Sequence, residues 1–170
     1  MRIIIFILLL CSLHFNGVSQ PCVADKYHSF VGVREATGKN DGPQIKEFLK
    51  AVKLGEGYAW CAAFVKYIFD LCGIPTSINA MALSAHRPGH LVYSKGKKLK
   101  EPKAGDVFTL YYAHLKRIGH TGFFDKEINS KVYRTVEGNT NAAGSREGDG
   151  VYIKYRSYNS TYSISRWFYE

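Results

Sequence analysis

Along residues 43–52, Ile45, Phe48, Leu49 and Val52 recur at i, i+3, i+4 and i+7, with polar side chains between them. That spacing lays one apolar stripe along a helix. Asp41 stands where it can cap the first turn, Pro43 sits inside that turn, and Gly55 and Gly57 lie beyond the end. A different pattern follows. Between residues 62 and 71 only Lys66 and Asp70 are charged, and four apart they share one edge of a helix. Every other face is apolar, which predicts a buried helix, most simply one packed on a sheet. Gly73 and Pro75 end it. Shorter helices are expected over residues 28–37 and 79–86.

Past residue 105 the period changes. Residues 106–110, 120–124, 132–136, 151–156 and 163–168 read as strands, and the turns between them are rich in Gly, Asn and Asp. Helices first and antiparallel strands afterwards make the class α+β. The lysine-rich stretch over residues 95–103 is expected to be an exposed loop or edge, and residues 76–100 follow no recognisable pattern.

The N-terminus adds a targeting signal. Arg2 precedes an apolar run over residues 3–10, and Gly17 and Ser19 are small residues where a signal peptidase reads. A signal peptide over residues 1–19 is expected, leaving Gln20 first in a single domain over residues 20–170. The run is too short to span a bilayer. The product is therefore expected to be exported, periplasmic or secreted.

Net charge is +9, or +8 without Arg2. Such a surface favours polyanions, and outside the cytoplasm the cell envelope is the expected one rather than nucleic acid, for which no motif is present. A solvated basic surface without a specific partner fits Lys95, Lys97, Lys98 and Lys100 equally well.

Cysteines sharpen the chemistry. After cleavage Cys22, Cys61 and Cys72 remain, and an odd number leaves at least one thiol outside an internal disulfide. Thiolates are favoured at the positive end of a helix and beside an imidazole. Cys61 begins the buried helix; Cys72 sits at its other end, where the dipole opposes a thiolate. Cys61 is thus the candidate nucleophile, although a cysteine in an apolar run is, on that feature alone, more often inert core. If Cys61 is catalytic, Cys22 and Cys72 are free to pair.

Among His28, His86, His90, His114 and His120, the last stands out. It opens a strand between Gly119 and Thr121-Gly122, where small neighbours let an imidazole project. No spacing suggests a metal site. Antiparallel pairing of the second and third strands would bring Glu137 or Asn139 beside His120 as the group orienting its ring.

GYAWCAAFVKYIFDLCGIP, PKAGDVFTL, GHTGFF and VEGNTN, in this order, resemble the cysteine, histidine-dependent amidohydrolase/peptidase (CHAP) domain, a papain-like fold with N-terminal helices on an antiparallel sheet. GVREATGKNDGPQIKEFLKAV is similar to the lead-in of exported and phage-type relatives. The resemblance implies Cys61 as nucleophile, His120 as general base, and Glu137 and Asn139 as their polar partners. It implies a peptidoglycan hydrolase needing no metal or organic cofactor, foremost an N-acetylmuramoyl-L-alanine amidase. A peptidoglycan endopeptidase and a non-catalytic wall-binding module are the alternatives, and a monomer is expected. The Cys61 backbone N–H and Tyr58 are candidate oxyanion donors. Residues 76–100 are a candidate wall of the substrate groove.

Overall fold

The computed structural model describes residues 20–143 and 148–168. The expected signal peptide lies outside them. Among the described residues no helix is long and apolar enough to cross a membrane.

The first helix, α1, spans Gln20–Ser29, earlier than the expected residues 28–37. Only Val23 and Tyr27, one turn apart, are buried, so its sequence carries little amphipathic signal. Beyond Ser29 the backbone turns away at Gly32 (φ 97°). Val33 and Glu35 then bond to the start of a strand, through Val151 N–H to Val33 O (2.9 Å) and Glu35 N–H to Asp149 O (2.8 Å). Residues 33–35 thus lengthen a sheet edge instead of winding a helix.

The helix α2 (Pro43–Lys50) buries Ile45, Phe48 and Leu49 as the stripe predicts. Its N-cap is Gly42, not Asp41. The Asp41 carboxylate instead accepts from Thr37 N–H (2.9 Å) and Thr37 Oγ1 (2.6 Å), closing the preceding loop. The helix stops before both Gly55 and Gly57: Lys53 adopts φ 62°, and Leu54 N–H reaches back to Leu49 O (3.0 Å). Helix α3 (Cys61–Leu71) buries Ala62, Ala63, Phe64, Val65, Ile68 and Phe69 against the sheet, and Lys66 pairs with Asp70 along its one polar edge. Each fully buried aromatic here contributes roughly 2–3 kcal/mol. Gly73, at φ 66°, turns the chain out of the helix. A disulfide joins Cys22 in α1 to Cys72, with Cα atoms 6.0 Å apart and a sequence separation of 50. A loop of that length stabilises by about 4 kcal/mol on chain-entropy grounds.

The sheet is antiparallel. Its strands are β1 (Leu91–Ser94), β2 (Lys97–Lys98), β3 (Val107–Tyr112), β4 (Arg117–Asn129), β5 (Val132–Thr140), β6 (Gly150–Ser157) and β7 (Thr161–Ser165), in spatial order β2-β1-β7-β3-β4-β5-β6. The last strand ends at Ser165, short of the expected residue 168. The lysine-rich stretch supplies the turn and the second strand of the β1–β2 hairpin at one edge, turning through Lys95 and Gly96, both at positive φ. Residues 79–86 hold a 3-10 turn at Ala82–Ala85 rather than a full helix. Alternation separates the faces: Val107, Phe123 and Val136 meet the helices, whereas Phe108, Phe124 and Tyr133 pack on the other side. Glu137 follows Val136, so it shares that second face.

Candidate active site

Cys61 is the first residue of α3. Its backbone N–H has no carbonyl one turn back within the helix, and the helix dipole places positive potential there. The side chain is only 7% exposed and is the one free cysteine among the described residues. The sulfur meets the His120 side chain and the backbone N–H groups of Thr121 and Ala62.

His120 comes from β4, opposite Leu110 of β3. The small neighbours are necessary. A Cβ on Gly119 would lie 2.4 Å from the Tyr112 ring, and one on Gly122 would lie 2.9 Å from Phe108. The imidazole Nε2 is 2.7 Å from Glu137 Oε2 on β5, which leaves Nδ1 toward the thiol. Glu137 also accepts from Arg156 Nε (2.8 Å) and Nη2 (2.5 Å) on β6, and from Thr135 Oγ1 (2.5 Å).

Electrostatics follow from this chain of contacts. Burial opposes ionisation of Glu137, but Arg156 and His120 outweigh it and hold the carboxyl at about 2. Burial likewise opposes charge on His120, yet the thiol and Glu137 raise its pKa to about 9. For Cys61 burial again opposes the anion, and the His120 contact together with the two backbone N–H groups wins, lowering the thiol. The arrangement favours a thiolate–imidazolium pair.

Asn139 has a different setting. Between Glu137 and Thr140 the β5–β6 register shifts, and Asn139 adopts φ 53°. Gly138 allows this bulge to press on α3, where a Cβ would lie 2.6 Å from Trp60 and 2.8 Å from Phe64. The Asn139 amide then faces away from the imidazole. Its Oδ1 accepts from Trp60 N–H (3.2 Å) and its Nδ2 donates to Asn40 Oδ1 (3.0 Å). Glu35 closes the ring, accepting from the Trp60 indole (2.9 Å) and from Asn40 N–H (2.8 Å). Trp60, fully buried, is thereby held by both backbone and side chain immediately before the nucleophile.

Cys61, His120 and Asn139 line a cleft of about 90 Å³. Ala80, Met81 and Ala82 form one wall, so residues 76–100 do supply part of it; Arg117 and Ile118 form the other. The first wall is pinned to β7 and the segment after it: Trp167 Nε1 donates to Ala85 O (3.3 Å), Arg87 N–H donates to Ser165 Oγ (3.0 Å), and His86 Nδ1 and Ser163 Oγ share a hydrogen bond (2.8 Å). Tyr58 does not join the cleft: the lining begins at Ala59, and Tyr58 is 57% exposed in the bend before it. Among the described residues no group of three His, Cys, Asp or Glu side chains is placed to hold a metal ion.

Arg156, Thr135, Glu35 and Asn40 escaped sequence reasoning. For Arg156 a signal existed. Charged residues alternate through β6, and antiparallel pairing puts Tyr152, Lys154 and Arg156 on the face of β5 that carries Glu137.

Comparison with known proteins agrees with this outline. No curated protein matches the chain. A solved structure, that of a wild type endolysin, LysIME-EF1, superposes with a TM-score of 0.55 at 17% identity, over 89% of this chain and 65% of the endolysin chain. The fold is thus shared, although this chain spans just under two thirds of that one. The model of the CHAP domain matches residues 53–139, a span that contains Cys61, His120, Glu137 and Asn139 and just over half of the sequence. The chain belongs to the CHAP domain family.

Proposed function

We propose that this protein is a cysteine hydrolase that cleaves an amide bond of bacterial peptidoglycan, acting as an N-acetylmuramoyl-L-alanine amidase. The observation that carries the reading is the line Cys61–His120–Glu137–Arg156, which opens into a cleft at the start of a buried helix.

In this mechanism the Cys61 thiolate attacks the amide carbonyl, forming a C–S bond while the carbonyl electrons move onto oxygen. The Cys61 N–H receives that oxyanion. The His120 imidazolium gives its Nδ1 proton to the departing amine as the C–N bond breaks. Neutral His120 then takes a proton from water, which attacks the thioester. Collapse of the second intermediate releases the carboxylic acid and restores the thiolate–imidazolium pair. Glu137 fixes the ring and favours its charged form, and Asn139 holds the backbone that presents the thiol.

Residues 20–170 act as one catalytic domain. Export is supported by the signal-like pattern over residues 1–19 and by the Cys22–Cys72 bridge, since disulfides persist in oxidising compartments. The test is mass spectrometry of purified sacculi digested by the protein beside a Cys61→Ala control. Stem peptides released with free N-terminal alanine are expected. New amino groups elsewhere in the peptides would make it an endopeptidase, and identical digests from the two proteins would end the hydrolase reading.

A further inference from the structure

Beside the cleft lies an aromatic surface that the chemistry does not use. The β3–β4 register shifts between Leu110 and Tyr111, and the β3–β7 register shifts between Thr109 and Leu110, so Gly119 and Tyr162 are the extra residues of two neighbouring bulges. Bulges re-aim the side chains around them. Here Tyr162 packs with Cys61, Ala82 and Ile118, the apolar cluster at the cleft. Tyr111, opposite Ile118 in the ladder, lies nearly parallel to Tyr162, with ring centroids 5.9 Å apart and planes 27° apart. Tyr162 is further braced: His86 meets it edge-on at 5.4 Å, and Lys95 Nζ lies 5.4 Å from its ring centre. Tyr111 remains 46% exposed.

An exposed aromatic ring held by a half-buried one beside a cleft is a surface suited to a ligand. Rigid tyrosines offer flat area at low entropic cost. We propose that Tyr111, backed by Tyr162, forms a platform on which a pyranose ring of the glycan strand stacks. The proposal rests on the peptidoglycan reading above and deepens it. The acyl group that an amidase transfers to Cys61 is the lactyl arm of a sugar, so a sugar must lie next to the thiol. An endopeptidase has no such requirement.

The test uses full-length Cys61→Ala protein, which cannot turn over, titrated by nuclear magnetic resonance and calorimetry with a tetramer of N-acetylglucosamine and, separately, with a sugar-free stem peptide. Tetramer binding that perturbs the Tyr111 and Tyr162 rings is expected. A further Tyr111→Ala substitution weakens it about tenfold. Tyr111→Trp keeps it, and Tyr155→Ala, at an unrelated tyrosine 63% exposed on β6, leaves it unchanged. Undetectable tetramer binding, tetramer binding indifferent to Tyr111→Ala, or an equal loss of stem-peptide binding in that variant would overturn the platform. The digests of sacculi described above test the hydrolase separately. Tyr111-dependent sugar binding without hydrolysis would leave the platform standing and remove the enzyme.

Discussion

Asp106 and Glu137 are both fully buried carboxylates gripped by an arginine at two points, yet their acidities move in opposite directions. Asp106 accepts from Arg166 Nε and Nη2, each at 2.9 Å, and from Lys103 N–H at 2.7 Å. Burial still prevails and raises its pKa. Glu137 has the equivalent grip from Arg156 and adds His120 and Thr135, and its carboxyl falls to about 2. At Asp106 the Arg166 contacts and the charge of Lys103 do not offset the loss of water; at Glu137 an imidazolium bonded directly to the carboxylate tips the balance. The first pair ties the end of β7 to the turn before β3, and the second sets the charge state of an imidazole.

Exchanging each carboxylate for its amide should separate these roles most sharply. Glu137→Gln is expected to lower turnover of sacculi by roughly three to four orders of magnitude, as loss of a ring-orienting carboxylate does elsewhere. Asp106→Asn should cost about 3 kcal/mol in a urea titration while leaving turnover per folded molecule within about twofold. The opposite pattern would erase the distinction. Arg156→Met should have the next largest effect, roughly a tenfold to hundredfold loss. Without the guanidinium, Glu137 becomes a weaker acid and a stronger acceptor, still ionised near pH 9, and a competing positive charge is gone from beside the imidazolium, so the alkaline limb of the rate profile moves to higher pH. An unmoved limb would show that Arg156 only packs.

Proton linkage gives a third measurement. Turnover should rise through a thiol ionisation below the ordinary value of 9.0 and fall near pH 9 as His120 loses its proton. In stability, the raised His120 contributes fully below 6.5, and its contribution fades as pH climbs to about 9. The lowered Glu137 contributes fully above 4.5, and its contribution fades as pH falls toward 2. Asp106 has the reverse sign: its raised pKa favours the fold below 3.8, and that benefit is lost as pH rises. Urea midpoints from pH 2 to 10 for the wild type and the two amide variants should therefore diverge in opposite senses at low pH.

The smallest effect concerns a third carboxylate, Glu35, which serves hydrogen-bond geometry around Trp60. Glu35→Ala should lower kcat about tenfold with KM unchanged, because the Cys61 N–H loses its aim. Alkylation of Cys61 by iodoacetamide should stay at the wild-type rate, since the thiolate–imidazolium pair does not use Glu35. An equal fall in both would place Glu35 in the general fold instead.

The helix that carries the nucleophile was legible because nearly every face of it is apolar and its two charges sit four apart. Strands β3 to β7 were legible, each boundary to within about five residues, whereas β1 lay in the stretch over residues 76–100 that follows no pattern and β2 in the lysine-rich loop or edge. The first helix was misplaced, because α1 buries only two side chains and residues 33–35 look helical until β6 claims their backbone. Glu137 and Asn139 could not be told apart in Val136-Glu137-Gly138-Asn139. They separate only through a bulge that turns one toward the imidazole and the other toward Trp60, and that depends on how closely α3 approaches Gly138. Arg156 and Asn40 act across strands or loops far away in sequence, where no local pattern records the encounter.

The bridge between α1 and the end of α3 bears on how active protein is obtained. Of the three ways to join two sulfurs among Cys22, Cys61 and Cys72, two consume the nucleophile. Oxidation that outruns docking of α3 onto the sheet therefore yields full-length, crosslinked and inert chains. Over residues 20–170 one titratable thiol per molecule cannot reveal the mistake, because every pairing of these three leaves one. Only the identity of the residue that takes up an alkylating label reports the active fraction of a preparation.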